Sequence, residues 1–395
     1  MTRVLALLAR DQGEGYPRAA ALIAAARHAG CDVDEVLLDL PAAGRDKQVI
    51  ARSPWLWPGF AVKLRRARRR GIVLLRERLE RAPPDVVLVL YPGHALVRWA
   101  RSVFPGRIVL DLFLTAHDTL VLDRNVYSEG SLFAKLLARM DARACAAADL
   151  VILDTAAHAD RVAELTGLGR DRFDHVPVAD IAAPSSPSAY CGQLPGQKLE
   201  LLFFGTGVPL HGLATLIEGV ERVPGVRLTL VGGTQADRDR AARLPPGRVM
   251  LLENFVGRPR IDQLISSAHL VAGIFGTSRK ADLVVPLKVM HALSHGRPVV
   301  TGESLAMREL LRPGEDVLTV ERGNPTALAE LLRSLLDAPH LLQPIARRAR
   351  ARFDTTFSIA ATAERFATCL RDRIGVALRK ASPSVVVRPE PVTVS

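Results

Sequence analysis

The chain has 395 residues, a formal net charge of +12 and a composition that is 48% hydrophobic but only 5% aromatic. This length predicts two domains, and the charge favours an anionic partner: a nucleic acid, an acidic membrane surface or a phosphorylated substrate. No window approaches about 18 uninterrupted apolar residues, which excludes a membrane-spanning helix, and the N-terminal apolar stretch is too short for a signal peptide.

Short apolar runs alternate with helical patterns along the first half of the chain. The predicted strands cover 3–9, 34–40, 85–91, 107–113 and 149–155, and a loop and a helix from about 17 to 29 follow the first strand. Continuous apolar runs separated by helices are typical of a parallel sheet that is buried on both faces.

The second half repeats this rhythm. Strands are predicted over 199–205, 226–233, 249–255, 270–276, 297–303 and 316–322, and helices over 212–222, 259–267 and 286–295. The predicted fold class is therefore α/β, with two Rossmann-like domains that face each other across a cleft.

A stretch rich in Pro, Ser, Ala and Gly separates the two halves and has the composition of a linker. We predict an N-terminal domain over 1–185, a linker over 186–198 and a C-terminal domain over 199–350. Helices are predicted over 351–380, and we consider that they cross back to the N-terminal domain. Residues 381–395 are predicted to form a tail without a core of its own.

The four cysteines, at positions 31, 145, 191 and 369, include no C-x-x-C pair. The spacing predicts neither a zinc site nor a disulfide framework, so we expect reduced thiols in a cytoplasmic protein.

Open α/β sheets bind ligands at the carboxyl ends of their strands, and the loop over 203–212 lies at such an end. Gly205, Thr206 and Gly207 follow a strand, and Gly212 opens a helix. Backbone N–H groups at a helix start favour an anion such as a diphosphate. The spacing is neither G-x-G-x-x-G nor that of a P-loop, and a glycine turn without a ligand is the alternative.

A second loop, over 275–288, carries Arg279, Lys280 and Lys288 ahead of a helix. We favour phosphate contacts for these cations over an exposed loop, because they precede a helix start. Lys288, His291 and His295 share one helical face. A metal site at the two histidines is disfavoured, because no acid follows His291 and no third ligand is evident.

The third loop, over 111–124, places His117 and Asp118 after a strand of the first half. Such a pair is a candidate catalytic dyad, and a structural hydrogen bond is the alternative.

Four segments carry a family resemblance: "FFGTGVPLHGLATLIEGV", "LVGG", "GIFGTSRKADLVVPLKVMHALSHGRPVVTGES" and "RELLRPGEDVLTVERGNPTALAELL". In this order they resemble the donor half of bacterial group 1 (family 4) glycosyltransferases of GT-B fold. The segments "DVVLVLYPGH", "DLFLTAHDTLVLDR" and "DLVILDTAAHADRV" extend the resemblance into the first half. It covers about 1 to 370 and is strongest from 200 to 335.

The resemblance implies transfer of a sugar, of hexosyl type, from a nucleoside diphosphate sugar to a glycan or lipid-linked acceptor. It further implies retention at the anomeric carbon and neither a required metal nor a cofactor. The donor would be held mainly by the C-terminal domain and the acceptor by the N-terminal one. The donor-binding candidates are then Gly205, Thr206, Gly207, His211, Arg279, Lys280, Lys288 and His291, and the catalytic candidates are His117 and Asp118.

This chain departs from the family pattern at three donor positions. Two glutamates spaced eight apart in the family correspond here to Leu283 and His291, and a Lys-Gly pair corresponds to His211-Gly212. A neutral His291 can still hydrogen-bond a ribose hydroxyl, although it lacks the paired acceptors of a carboxylate. These changes motivate an alternative, a glycosyltransferase-like binding subunit without turnover. An epimerase on the same fold is less favoured, because no well-placed acid and base carboxylates are evident.

The stretch over 54–82 predicts a basic amphipathic helix. Trp57, Leu64, Gly71, Leu75 and Leu79 trace one stripe, and arginines surround it. Trp55, Trp57, Arg65, Arg66 and Arg69 are candidates for a membrane or acceptor surface at the inner face of the cell membrane. A solvated helix that packs its stripe on the domain is the alternative. Nucleic acid is not expected, because no recognition motif accompanies the arginines.

Overall fold

The computed structural model describes residues 1–9, 17–41, 53–124, 126–194, 196–252 and 255–378. The predicted tail over 381–395, most of the loop after the first strand and part of the strand predicted over 249–255 lie outside these residues. The described chain forms two six-stranded sheets in which every pairing is parallel. Core side chains pack on both faces of each sheet, which confirms the predicted α/β fold class.

The N-terminal sheet has the order β2-β1-β3-β4-β5-β6. Its strands are β1 (Arg3–Ala9), β2 (Asp32–Leu38), β3 (Val86–Val89), β4 (Arg107–Asp111), β5 (Leu150–Leu153) and β6 (Phe173–His175). Its helices are α1 (Arg18–His28), α2 (Trp57–Arg81), α3 (Leu96–Arg101), α4 (Leu132–Ala146) and α5 (Ala156–Thr166). A π-helical turn covers Asp118–Asp123, after β4.

The C-terminal sheet has the order β12-β11-β10-β7-β8-β9. Its strands are β7 (Leu199–Gly205), β8 (Val226–Gly232), β9 (Val249–Leu251), β10 (Leu270–Ala272), β11 (Val299–Gly302) and β12 (Leu318–Val320). The helices that follow are α6 (Leu213–Glu221), α7 (Gln235–Ala242), α8 (Arg258–Ser267), α9 (Leu287–Ser294), α10 (Leu305–Leu310), α11 (Pro325–Asp337), α12 (Leu342–Thr356) and α13 (Ile359–Ile374).

The last helix of the described chain packs on the first domain. Phe366 and Leu370 of α13 are fully buried and share a hydrophobic cluster with Val4 and Ala6 of β1 and with residues of α1. The Cys369 thiol, also buried, lies 3.6 Å from the carbonyl oxygen of His175 at the end of β6. The N-terminal core is therefore completed by residues from the far end of the sequence.

Loops at the carboxyl ends of the two sheets contact each other directly. The Thr155 hydroxyl, just after β5, donates to the carbonyl oxygen of Leu283 at 2.6 Å. The Glu309 carboxylate of α10 accepts the backbone N–H groups of Ala156 and Ala157 at 2.7 and 3.0 Å. These N–H groups belong to the first turn of α5, where the helix dipole favours a negative charge. The two domains thus meet around the cleft that the sequence predicts.

Candidate functional site

A buried lysine lies beside the carboxyl end of β7. Lys288, in the first turn of α9, is 5% exposed, and its Nζ lies 3.7 Å from the centroid of the Phe203 ring. In the described part of the chain, this Nζ has no hydrogen-bond partner. Burial lowers the pKa of Lys288 well below its ordinary value of 10.5. Because this amine is shielded from solvent and has no carboxylate partner among the described residues, the site is suited to an anionic ligand.

Glycine at position 205 is what lets this lysine and His211 approach the strand end. Gly205 has φ +150°, and a Cβ there would lie 2.8 Å from Cε1 of His211 and 3.0 Å from Nζ of Lys288. A side chain at this position would therefore fill the space between them. Thr206 is exposed in the loop that follows.

His211 is held neutral and in one tautomer. It lies in a 3₁₀ turn over Pro209–His211, and its Nδ1 accepts the backbone N–H of Gly207 at 3.2 Å. The proton of the neutral ring is therefore on Nε2, which can donate. Burial, together with the charge of Lys288, lowers the pKa of His211 to about 2. Lys288 and His211 thus bring two N–H donors to the end of β7.

This buried histidine predicts a specific acid sensitivity. Since its folded pKa is below the unfolded value of 6.5, the unfolded state binds more protons below pH 6.5, and stability falls as the pH drops through that range. We expect His211→Asn to reduce the loss of unfolding free energy between pH 7 and 5 by about 1–2 kcal/mol. Urea denaturation at both pH values measures this. His340→Asn, at an exposed histidine, is the control, and equal losses in the two variants would contradict the prediction.

His291 lies in a polar network that links α9 to α8 and to Asp180, which follows β6. Its Nε2 is 3.3 Å from the Arg258 guanidinium, which also donates to both carboxylate oxygens of Asp180, at 3.0 and 2.8 Å. The ring stacks on Phe204 with an interplanar angle of 4°. Burial lowers the pKa of His291 to about 4. A guanidinium can only donate, so Nδ1 of the neutral ring carries the proton, and this buried atom has no partner within the described residues.

His295 has a different environment from His291. Its Nε2 lies 3.1 Å from the carboxylate of Asp262, and its Nδ1 lies 3.2 Å from the hydroxyl of Ser266. Both ring nitrogens are therefore occupied by contacts within the C-terminal domain. No cluster of three or more potential metal ligands occurs among the residues that the structure describes.

Arg279 and Lys280 pair with the N-terminal domain. Arg279 forms an ion pair with Glu164 at 3.2 Å, and the buried Nζ of Lys280 lies 3.7 Å from the carboxylate of Asp123. The phosphate contacts expected for these two residues stay a prediction, and the structure places carboxylates of the N-terminal domain beside both cations. The reason is the domain arrangement, which brings the 3₁₀ turn over Arg279–Asp282 onto the π-helical turn.

His117 and Asp118 contact each other at the start of the π-helical turn, and their catalytic role stays a prediction. Nδ1 of His117 lies 3.2 Å from Oδ1 of Asp118, and the Arg161 guanidinium is 3.5 Å from the same oxygen. Burial raises the pKa of Asp118, but the hydrogen bond from His117 and the charge of Arg161 outweigh it and lower the pKa overall. The other carboxylate oxygen is buried without a partner in the described chain. It remains available as an acceptor.

Several functional contacts escape prediction from the sequence. Asp141, fully buried on α4, accepts the backbone N–H groups of Ala116 and His117 at 3.0 and 2.9 Å, and it also contacts Nε2 of His94 at 2.8 Å. It thereby fixes the loop that carries His117. The sequence signal for this contact is an aspartate within the otherwise alanine-rich helical pattern "MDARACAAA". The contacts of Thr155 and Glu309 had no such local signal.

A separate cavity of about 400 Å³ opens beyond β11 and β12. Charged residues such as Asp282, Glu303, Arg308 and Arg322 line it. These charges pair with one another: Arg308 donates to Glu303 at 2.9 Å, and Arg322 lies 3.2 Å from Asp282. These four charges at the cavity are therefore paired, whereas Nζ of Lys288 has no partner among the described residues.

The stripe of α2 packs on the N-terminal domain. Gly71 and Leu75 are buried, and Leu64 and Leu79 pack partly buried against the same core. Trp57 contacts Phe133 edge-to-face, whereas Trp55, Arg65, Arg66 and Arg69 are exposed. In the described chain, no helix has the length and apolarity needed to cross a bilayer.

Comparison with known proteins gives one family and many similar structures. Residues 198–338 match the family described as Glycosyl transferases group 1. No curated protein matches the chain in sequence. Among solved structures, HepE (Alr3699) of Anabaena in complex with UDP and glucose is 17% identical, with a TM-score of 0.66 over 94% of this chain and 100% of that one.

Two further solved structures show the same architecture. Sucrose-phosphate synthase of Thermosynechococcus elongatus is 14% identical, with a TM-score of 0.69 over 95% of this chain and 99% of that one. The lipopolysaccharide outer core galactosyltransferase WaaB is 11% identical, with a TM-score of 0.63 over 94% and 100%. At these identities the likeness shows the fold, which is GT-B.

Proposed function

We propose that this chain, which has the GT-B fold and matches the group 1 glycosyl transferases over residues 198–338, transfers a hexosyl group from a nucleoside diphosphate sugar. The observation that carries the proposal is the buried, unpartnered Nζ of Lys288 beside His211 and Gly205. In the described chain, no carboxylate pairs with Lys288 or His211, and the site lies where open α/β sheets bind ligands.

The chemistry of this pocket suits a departing diphosphate. Breaking the bond to the anomeric carbon leaves negative charge on the diphosphate, and fixed donors stabilise that charge without reorganising. Lys288 supplies an ammonium group once the anion is present, and Nε2 of His211 supplies a neutral donor. The sugar passes through an oxocarbenium-like state, so the leaving-group contacts and the placement of the acceptor hydroxyl provide most of the rate. We propose that transfer proceeds with retention and needs no bound metal.

Two further groups complete the proposed site. His291 would meet the nucleoside, because its protonated Nδ1 is a buried donor that can bind a ribose hydroxyl. UDP and UDP-glucose are bound in structures of HepE, which supports a uridine nucleotide for this chain.

His117 and Asp118 would lie near the reacting sugar on the acceptor side. We propose a glycan or lipid-linked acceptor, and a cytoplasmic location at the inner face of the cell membrane.

Calorimetric titration tests the proposal directly. The purified protein is titrated with UDP, GDP, ADP and dTDP in turn, first without metal and then with Mg²⁺. We expect one nucleotide, UDP, to bind clearly in the absence of metal. Binding that needs Mg²⁺ would contradict metal independence. A folded protein that binds none of the four would contradict the donor site itself.

A second candidate function rests on the changed donor positions. Leu283, where the resembling family has glutamate, is 7% exposed and offers only its carbonyl oxygen to Thr155. With His211 and His291 at two other donor positions, the domain could act as a binding subunit without turnover. His291→Glu distinguishes the two functions. Nucleotide binding that appears only in this variant would favour the binding subunit, whereas binding already present in the parent favours the transferase.

A further inference from the structure

The N-terminal domain exposes an apolar surface where the starts of α2 and α4 meet. We name it the α2–α4 surface, and its exposed apolar residues are Trp55, Leu56, Val62, Leu132, Phe133, Leu136 and Met140. The exposed fractions reach 76% for Trp55 and 83% for Leu132. Phe133 joins the two helices, because its ring contacts that of Trp57 edge-to-face at 5.5 Å. Contiguous exposed apolar area of this kind marks an interaction site.

The helical geometry of α4 sharpens this observation. Leu132, Leu136 and Met140 follow each other at intervals of four and lie on one outward face, whereas Ala134 and Cys145 are buried on the opposite face. A surface helix of a soluble domain normally presents polar side chains outward. Here both faces of α4 carry apolar residues, so the outward face is suited to an apolar environment other than the protein core.

Basic residues surround this apolar row. Helix α2 holds nine Lys and Arg but only two Glu, and Lys63, Arg66 and Arg69 are exposed on it. On α4, Lys135, Arg139 and Arg143 are exposed beside the leucines. The occupant must therefore be anionic as well as apolar. The phosphates of a nucleic acid would pair with the cations, but a nucleic acid would not bury the row of leucine and methionine side chains. An anionic bilayer offers both phosphates and an apolar interior.

We infer that the α2–α4 surface docks on an anionic lipid bilayer. Trp55, Leu132 and Leu136 enter the boundary between head groups and acyl chains, and the flanking arginines contact lipid phosphates. This inference deepens the proposed function, on which it rests for a lipid-linked acceptor. The buried face of α4 holds Asp141, which fixes the backbone of His117. One helix thus joins the bilayer contact to the proposed acceptor side of the cleft.

Vesicle co-sedimentation of the full chain tests the inference. Vesicles of phosphatidylcholine alone are compared with vesicles of equal parts phosphatidylcholine and phosphatidylglycerol. We expect binding to the mixed vesicles to be at least about tenfold tighter than to phosphatidylcholine. The double variant L132S/L136S should lose about tenfold or more of that binding. The control L194S/L341S, at two exposed leucines outside the surface, should bind like the parent.

Other outcomes would overturn the inference. Failure to bind either vesicle, or binding that L132S/L136S leaves unchanged, would exclude insertion of the apolar row. A dimer in solution that L132S/L136S dissociates would assign the surface to a second copy of the chain. Tighter binding to an oligonucleotide than to the mixed vesicles would assign it to nucleic acid. UDP titration of the same variants separates the proposals, because vesicle binding without UDP binding would overturn the proposed function alone.

Discussion

Replacing Lys288 with methionine should lower the affinity for the nucleoside diphosphate by about 10- to 150-fold. A charged hydrogen bond to a phosphate contributes about 1.5–3 kcal/mol, and methionine keeps the length of the side chain without the amine. The affinity is measured by calorimetric titration of the parent and the variant. Lys198→Met, at an exposed lysine directly before β7, is the matched control and should bind like the parent. An unchanged affinity in Lys288→Met would remove this residue from the site.

The same variant should be as stable as the parent or more stable in the absence of nucleotide. The pKa of Lys288 is lower in the folded state than its unfolded value of 10.5. Between those two values the unfolded state binds more protons, so the unfolding free energy rises with pH, and at neutral pH the buried amine destabilises the fold. Methionine removes this contribution. Thermal unfolding of both proteins at pH 7 and at pH 9 would show a larger gain for the variant at pH 7.

Proton uptake gives an independent check on Lys288. A bound diphosphate favours the ammonium form and raises the pKa of Lys288, so the parent should take up protons when the nucleotide binds above the free-state pKa. Calorimetry in two buffers of different ionisation enthalpy measures the number of protons. Equal heats in the two buffers, or an uptake that persists in Lys288→Met, would contradict this role.

Replacing Glu309 with alanine should slow sugar transfer by about tenfold or more and leave nucleotide affinity unchanged. The carboxylate accepts two N–H groups at the start of α5, and losing this contact removes about 1–3 kcal/mol from the association of the domains. The nucleotide pocket lies within the C-terminal domain and does not include Glu309. Transfer is measured by nucleotide release, and domain opening by an increased radius of gyration in small-angle X-ray scattering.

Glu330→Ala is the control for this experiment, because Glu330 is an exposed glutamate on α11 of the same domain. It should change neither transfer nor scattering. If Glu309→Ala lowered nucleotide affinity as much as transfer, the carboxylate would be supporting the C-terminal domain itself and not the contact between domains.

The parts of the site that follow from local sequence were predictable. Strand β7, its glycine loop and α6 begin and end within a residue of the predicted bounds, because an apolar run, glycines and a helical pattern follow one another directly. Lys288 joins Gly205 although the two are far apart in sequence. Parallel pairing of β7 with β10 brings their carboxyl ends together, which the α/β pattern already implies.

Contacts across the cleft were not predictable in this way. Lys280 looks like a phosphate ligand from its loop, yet its partner, Asp123, belongs to the other domain, and no periodicity encodes how two domains meet. The exposure of the apolar row on α4 was not predictable for a related reason. Leu132, Leu136 and Met140 look like core positions in the sequence, and only the packing of α4 shows which face is covered. The short β6 has only three residues, too few to give a strand pattern.

The packing of α13 on α1 has a consequence for how the protein is made. During synthesis the N-terminal sheet leaves the ribosome well before Phe366 and Leu370, which cover its core beside Val4 and Ala6, are translated. The N-terminal core is therefore completed only after the C-terminal sheet has been translated, and until then the apolar side chains that α13 covers are uncovered. For the same reason, a fragment intended to reproduce the N-terminal domain should carry residues 359–374 joined to it.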